Sequence, residues 1–200
     1  MVENIKWLGH ATFRITGEKK IYIDPWKIKD KDEADIILIS HSHYDHLSVP
    51  DVEKVQGDNS VIITTTDSVS KLSGKIRTLL PREKVEVDGV IIEGVSSYNV
   101  NKKFHPKSNN WLGFIININK KRIYYAGDTD YIPEMRDLMD IDIALLPVGG
   151  TYTMTGEEAA NAANVFKPRL AIPSHWGDIV GSRKDAESFK RLFKGETEIL

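Results

Sequence analysis

Short β-branched and aromatic runs, each bounded by Gly, Pro, Asn or Asp, fill the first two thirds of this chain, and their close spacing is what most restricts its fold. On this pattern residues 4–8, 11–15, 20–23, 35–39, 61–65, 75–79, 84–87 and 90–95 read as strands. The apolar runs 112–118 and 122–125, divided by Asn119, Lys120 and Lys121, read as a hairpin, and 141–146 and 169–172 as later strands. Many of these strands follow one another too closely for the crossover of about a dozen residues that a parallel pair needs, which argues against a wholly parallel, doubly wound sheet. Stacked mixed sheets covered by helices are the predicted architecture.

The helices are fewer but well signed. Thr155-Gly156-Glu157-Glu158 offers a capping box ahead of Ala159, Ala160, Ala163 and Phe166, so a helix is predicted over 156–166, ended by Pro168. A second opens at Ser182 or Arg183 and runs through Phe193, with Phe189, Leu192 and Phe193 on one face. Shorter helices are expected after Ser48 and after Asp67.

The 200 residues carry no repeat and no Pro- or Ser-rich linker, so 1–200 reads as one domain. A net charge of -2 supplies no global basic field and points to no nucleic-acid partner. The absence of cysteine removes disulfides, thiolate metal sites and cysteine nucleophiles, so any metal must be held by nitrogen and oxygen. The stretch from Met1 to Lys6 lacks the apolar core of a signal peptide, and no apolar run approaches the ~20 residues of a membrane helix. A cytoplasmic location is expected.

Chemistry enters at Ile36-Ile37-Leu38-Ile39-Ser40, which runs into His41-Ser42-His43-Tyr44-Asp45-His46. As the chain leaves a buried strand, two-residue alternation can aim His41 and His43 to one side, while Asp45 and His46 turn toward a second point. Two metals a few ångströms apart become feasible. Other strand ends repeat the device: Tyr125-Ala126-Gly127 delivers Asp128, Ile172-Pro173-Ser174 delivers His175, and Trp7-Leu8-Gly9 delivers His10. Ligand-type residues at the ends of several buried strands predict one catalytic rim along a common sheet edge.

His41-x-His43-x-Asp45-His46, Gly127-Asp128-Thr129 and Ile172-Pro173-Ser174-His175 resemble, in order, signature motifs of the metallo-β-lactamase superfamily. Trp7-Leu8-Gly9-His10-Ala11, Ala126-Gly127-Asp128-Thr129 and Leu146-Pro147-Val148-Gly149-Gly150 resemble its compact metal-dependent hydrolase branch, which includes ascorbate-6-phosphate lactonase-like proteins. More distantly they resemble N-acylphosphatidylethanolamine phospholipase D-like proteins. The resemblance implies a four-layer αββα sandwich of two mixed sheets flanked by helices. It also implies that Asp24, in Ile23-Asp24-Pro25, supports the metal loop from behind.

The pattern departs from these relatives in one place. Most carry a further histidine after the strand corresponding to 91–95, where this chain reads Ser96-Ser97-Tyr98-Asn99. Either His105 loops back to that position or Asn99 contributes its carbonyl oxygen. The implied assignment is then His41, His43 and His105 on one divalent ion, Asp45, His46 and His175 on the other, and Asp128 between them. Zinc is favoured for such a set, with manganese or iron compatible. Asp45 is also expected to orient the nucleophile, and His10 and Lys107 to contact an anionic small-molecule substrate or the developing oxyanion.

The expected reaction is hydrolysis of a small ester, lactone or phosphodiester by metal-activated water. The alternatives are a metal-dependent nuclease or RNA-processing enzyme, and a metal-binding scaffold without catalysis. A redox enzyme of the flavodiiron type generally has glutamate where this chain has His43.

Overall fold

The structure is a computed structural model that describes residues 3–29 and 31–200. Met1 and Val2, part of the N-terminal stretch considered above, lie outside the described residues.

Six strands form the first sheet in chain order: β1 (Ile5–Gly9), β2 (Thr12–Ile15), β3 (Ile21–Ile23), β4 (Ala34–Leu38), β5 (Gln56–Thr64) and β6 (Lys75–Thr78). The second sheet, again in chain order, holds β7 (Lys84–Val87), β8 (Val90–Ser96), β9 (Leu112–Ile118), β10 (Lys121–Tyr125), β11 (Ile143–Pro147), β12 (Leu170–Ser174) and β13 (Glu196–Thr197). Each sheet is mixed. Neighbours pair antiparallel from β1 to β3 and from β7 to β10, where connections are short apart from the long loop 97–111 between β8 and β9. They pair parallel from β3 to β6 and from β10 to β13, where loops and helices supply the crossovers.

Period-two alternation explains the layering. Ile36 and Leu38 of β4 face the space between the sheets, as do Tyr125 of β10 and Ile143 and Leu145 of β11. The intervening Ile37 packs outward against α1 (Val49–Val55), while Tyr124, Ala144 and Leu146 pack against α2 (Gly156–Phe166) and α3 (Arg183–Leu192). Both faces of the central strands are buried, so their sequences read as continuous apolar runs. The result is the expected four-layer αββα sandwich. No helix among the described residues is long and apolar enough to cross a membrane.

Helix α2 begins where predicted, with Thr155 and Glu158 forming both halves of the capping box, and ends at Lys167 in the left-handed region. Three details differ from the sequence reading. β5 begins at Gln56 rather than Val61, because Ser60 caps the Ala34 carbonyl and brings this polar stretch alongside β4. The turn after Asp67 is a 3-10 helix over Thr66–Lys71, and the two-residue edge strand β13 carries no sequence signal.

Candidate metal centre

Because β1, β3, β4, β8, β10 and β12 point the same way within their sheets, their C-terminal ends lie along a common rim. Backbone bonds tie the two sheets together there, Leu112 N donating to Ser40 O at 3.0 Å and His175 N to His10 O at 2.7 Å. Three residues that leave these strands, His10, Asp24 and His175, hold left-handed φ values of 49°, 44° and 58°. Each such conformation in a non-glycine residue stores about 1–3 kcal/mol of strain, a cost tolerated where the surroundings fix the geometry. Gly127, at φ 66°, must be glycine: a Cβ there would stand 2.6 Å from the Leu112 carbonyl oxygen. That close packing aims the next residue, Asp128, into the rim.

Donor atoms converge in three overlapping groups, each with all its atoms within 4.8 Å of one another: His41, His43 and His105; His10, Asp45, His46 and His175; and His41, His46 and Asp128. Asp128 lies between the first two. Its Oδ2 stands 3.2 Å from both His105 Nε2 and His175 Nε2, and its Oδ1 3.3 Å from His46 Nε2. Of the seven residues grouped around it, all except His43 and Asp45 are almost wholly buried, and those two open onto a cleft.

Hydrogen bonds behind the rings fix which nitrogen faces inward. Asp24 Oδ2 receives His46 Nδ1 at 2.7 Å, Ser40 Oγ at 2.6 Å and Tyr125 OH at 2.6 Å, while its Oδ1 receives Ser40 N at 2.7 Å. With its proton committed to Asp24, Ser40 Oγ accepts from His41 Nδ1 at 2.9 Å. The Asn99 amide is oriented because its Nδ2 donates to Asp130 Oδ1 and to the Tyr152 carbonyl. Asn99 Oδ1 therefore accepts, from both His105 N and His105 Nδ1 at 3.0 Å. In the neutral form of these three rings Nδ1 therefore keeps the proton and Nε2 is the atom that presents a lone pair to the cluster.

Apart from His41 Nε2, which meets His43 Nδ1 at 3.0 Å, the inward atoms are unsatisfied. His46 Nε2, His105 Nε2, His175 Nε2 and Asp128 Oδ1 are buried without hydrogen-bond geometry to any described group. Orphaned buried polar atoms are rare and call for an explanation, and several aimed at common points are what a divalent cation would satisfy. Electrostatics agree. Burial opposes ionisation of Asp128, but the surrounding His175, His46 and His105 hold its carboxyl well below the usual range. Burial disfavours charge on His46, yet Asp128 and Asp24 push its pKa well above the ordinary imidazole value. The space between these groups favours positive charge. The donor set fits a metal.

The structure brings together every residue the sequence singled out for the metal site: His41, His43, Asp45, His46, His105, Asp128 and His175. Of the two alternatives after β8, the His105 ring reaches the cluster, and the Asn99 oxygen is occupied in orienting it. His10 is buried behind Asp45, its Nε2 3.0 Å from Asp45 Oδ2, and is not among the residues lining the cleft. Lys107 is elsewhere: its ammonium bonds to Glu134 at 2.8 Å and lies over the Tyr98 ring, bordering a different cleft. The expected contact of Lys107 with substrate is thus corrected, since its charge is already partnered on another face.

Sequence reasoning missed Trp111, whose ring centroid lies 4.7 Å from that of His41 and 4.8 Å from that of His43. Its Nε1 donates to Asp67, which also receives Ser42 Oγ, so the β5 end braces the histidine loop. A lone tryptophan before β9 gave no signal of this.

A family model described as the beta-lactamase superfamily domain matches residues 4–175, and the chain belongs to that superfamily. Its particular family is that of the UPF0173 metal-dependent hydrolases. The member from Pyrococcus abyssi is 33% identical over 98% of this chain and 94% of its own length. That from Thermoplasma volcanium is 35% identical over 94% of this chain and 90% of its own. A Parabacteroides distasonis crystal structure, assigned as a metal-dependent hydrolase, superposes with a TM-score of 0.87 at 36% identity, covering 98% of this chain and 91% of that one. Igni18, a metallo hydrolase from Ignicoccus hospitalis, shares the fold at a TM-score of 0.79 and 21% identity, over 98% of this chain and 94% of its own.

Proposed function

We propose that this metal-dependent hydrolase works with two divalent ions, most suitably zinc, and cleaves a small ester, lactone or phosphodiester. In this reading His41, His43 and His105 hold one ion, Asp45, His46 and His175 hold the other, and Asp128 lies between them. The observation that carries it is the position of Asp128, one of whose oxygens stands 3.2 Å from the inward nitrogens of both His105 and His175. A nitrogen and oxygen donor set without sulfur suits zinc, and also manganese or iron. When bound, such a pair of ions lowers the pKa of a shared water and polarises the carbonyl or phosphoryl oxygen under attack.

The chain's own residues do the rest. Asp24 and Ser40 lock His46 and His41 with Nε2 inward, and Asn99 does the same for His105, so no ring rotation is needed when the site fills. Asp45, which lines the floor of the cleft, would also orient the attacking water. His10 is a positioning residue: its Nε2 bonds one Asp45 oxygen, and its ring packs 4.0 Å from that of His175.

The test is removal and return of metal. Protein stripped with chelator loses hydrolysis of phosphodiester, lactone and ester probes and regains it with zinc or manganese. Metal-replete protein that turns over none of the three classes would contradict the proposal.

A further inference from the structure

One cleft of about 220 Å³ reaches the proposed ions, and His43, Asp45, His105 and Asp128 form its floor. Its walls are Tyr44, Phe104, Tyr152 and Ile179. Three of these are conspicuously exposed for large apolar side chains: Tyr44 at 67%, Phe104 at 46% and Ile179 at 37%. Single exposed apolar residues are ordinary, but several grouped around the opening to a buried polar cluster mark a binding surface.

The walls are built rather than loose. Phe104 and Tyr152 meet edge to face with centroids 4.7 Å apart. Asn99 Nδ2 holds the Tyr152 carbonyl at 2.9 Å, and the same Asn99 anchors His105 next to Phe104. Opposite, Asp178 beside Ile179 is tied by both its oxygens to Lys27, at 2.7 and 2.9 Å. Lys27 in turn covers the Trp26 ring, which lies edge-on to Tyr44.

Charge completes the picture. No cation is among the residues lining the cleft. Two lysines on neighbouring segments are already engaged, Lys27 with Asp178 and Lys102 with Asp130. Between these walls, away from the proposed ions on the floor, an anionic substituent would lose water with no side-chain cation to replace it, whereas an aryl or alkyl group would be stabilised by burial and by the aromatic edges.

We infer that the substrate is a small carboxylic ester or lactone whose group next to the scissile bond is uncharged and apolar, an aryl ring or short alkyl chain seated between Tyr44, Phe104, Tyr152 and Ile179. This rests on the two-metal reading above and narrows it, setting aside sugar phosphates and nucleotides. At ~30 Å³ for each water-sized group, the cleft takes roughly seven non-hydrogen atoms, about a phenyl ring and its attachment. In the reaction the acyl C–O bond breaks, the oxygen of water bonds to the acyl carbon, one of its protons leaves on the alcohol, and the acid releases the other.

The experiment uses hydroxamates, which share one metal-chelating head and differ only in the tail, so binding is read without turnover. Metal uptake is measured first, and then dissociation constants of the loaded protein for acetohydroxamate, benzohydroxamate and the monohydroxamate of succinic acid. Burying a few more carbons in a preformed apolar pocket predicts that benzohydroxamate binds about tenfold or more tighter than acetohydroxamate, with the carboxylate-tailed ligand no tighter than acetohydroxamate. Phe104→Ala and Tyr152→Ala should each narrow the gap between the phenyl and methyl tails several-fold. Equal affinities, a preference for the carboxylate tail, or an unchanged gap in both variants overturns the inference while leaving the two-metal reading intact. Failure to take up metal ends both.

Discussion

Replacing Asp24 by Asn tests whether the metal rim is organised from behind. Asn fits the site's volume and tolerates its φ of 44° better than most residues, so backbone strain is not the variable. What changes is the second oxygen. Asp24 Oδ2 receives three donors, from His46, Ser40 and Tyr125, at 2.6–2.7 Å, and an amide NH2 in its place would face three donors with a fourth. If the amide turns, the same conflict falls on Ser40 N. Removing one partner from a buried charged network costs about 3–5 kcal/mol. At ~2–4 °C per kcal/mol for a chain of this size, the metal-free protein should melt roughly 6–20 °C lower. Losing the group that orients a ligating histidine also predicts a ~10–100-fold weaker zinc affinity, read by competition with a chromophoric chelator. Tyr125→Phe is the comparison: it removes one donor and leaves three, predicting a loss of about 1.5–3 kcal/mol with the His46 bond kept. A midpoint for Asp24→Asn within about 2 °C of the parent, together with unchanged zinc affinity, would refute the reasoning.

Gly127→Ala places a methyl 2.6 Å from the Leu112 carbonyl oxygen at a left-handed φ, so we expect a folded but destabilised protein that binds less than its full metal complement. Full complement by elemental analysis would show that Asp128 does not depend on this packing. Asp51 gives a pH signature remote from the metal rim. Burial opposes its ionisation, but Lys54, Ser48 and the Lys27 backbone N–H hold its carboxyl below the usual value. A depressed folded-state pKa means the contribution is complete above the ordinary aspartate value of about 3.9 and is lost as pH falls through the folded value. The gap in urea midpoint between parent and Asp51→Asn should therefore be full at neutral pH and shrink in acid, and a gap independent of pH would contradict this.

The parts of this molecule legible in sequence are those where one local rule acts alone. The continuous apolar runs around Ile36-Ile37-Leu38 and Ile143-Ala144-Leu145 marked strands, and the Thr155–Glu158 box marked α2. Clustered histidines at strand ends marked the rim, because few other uses explain so many ligand types at such places. What escaped was set by contacts distant along the chain. Whether His105 or Asn99 faces the metal rim depends on Asp130, about thirty residues on, orienting the Asn99 amide. Lys107 looked available for substrate only because Glu134, its partner, is invisible from the local sequence. Trp111 braces the histidines through Asp67, a contact that exists only after the sheets have packed.

The central claim is that seven side chains, four from the loop after β4 and one each from three other loops, hold two ions that share Asp128. Its most direct measurement is metal stoichiometry, by equilibrium dialysis against zinc with elemental analysis, on the parent and on His43→Ala and His175→Ala. Two ions per chain in the parent and one in each variant is the predicted result. One ion in the parent, or two retained in both variants, would contradict it.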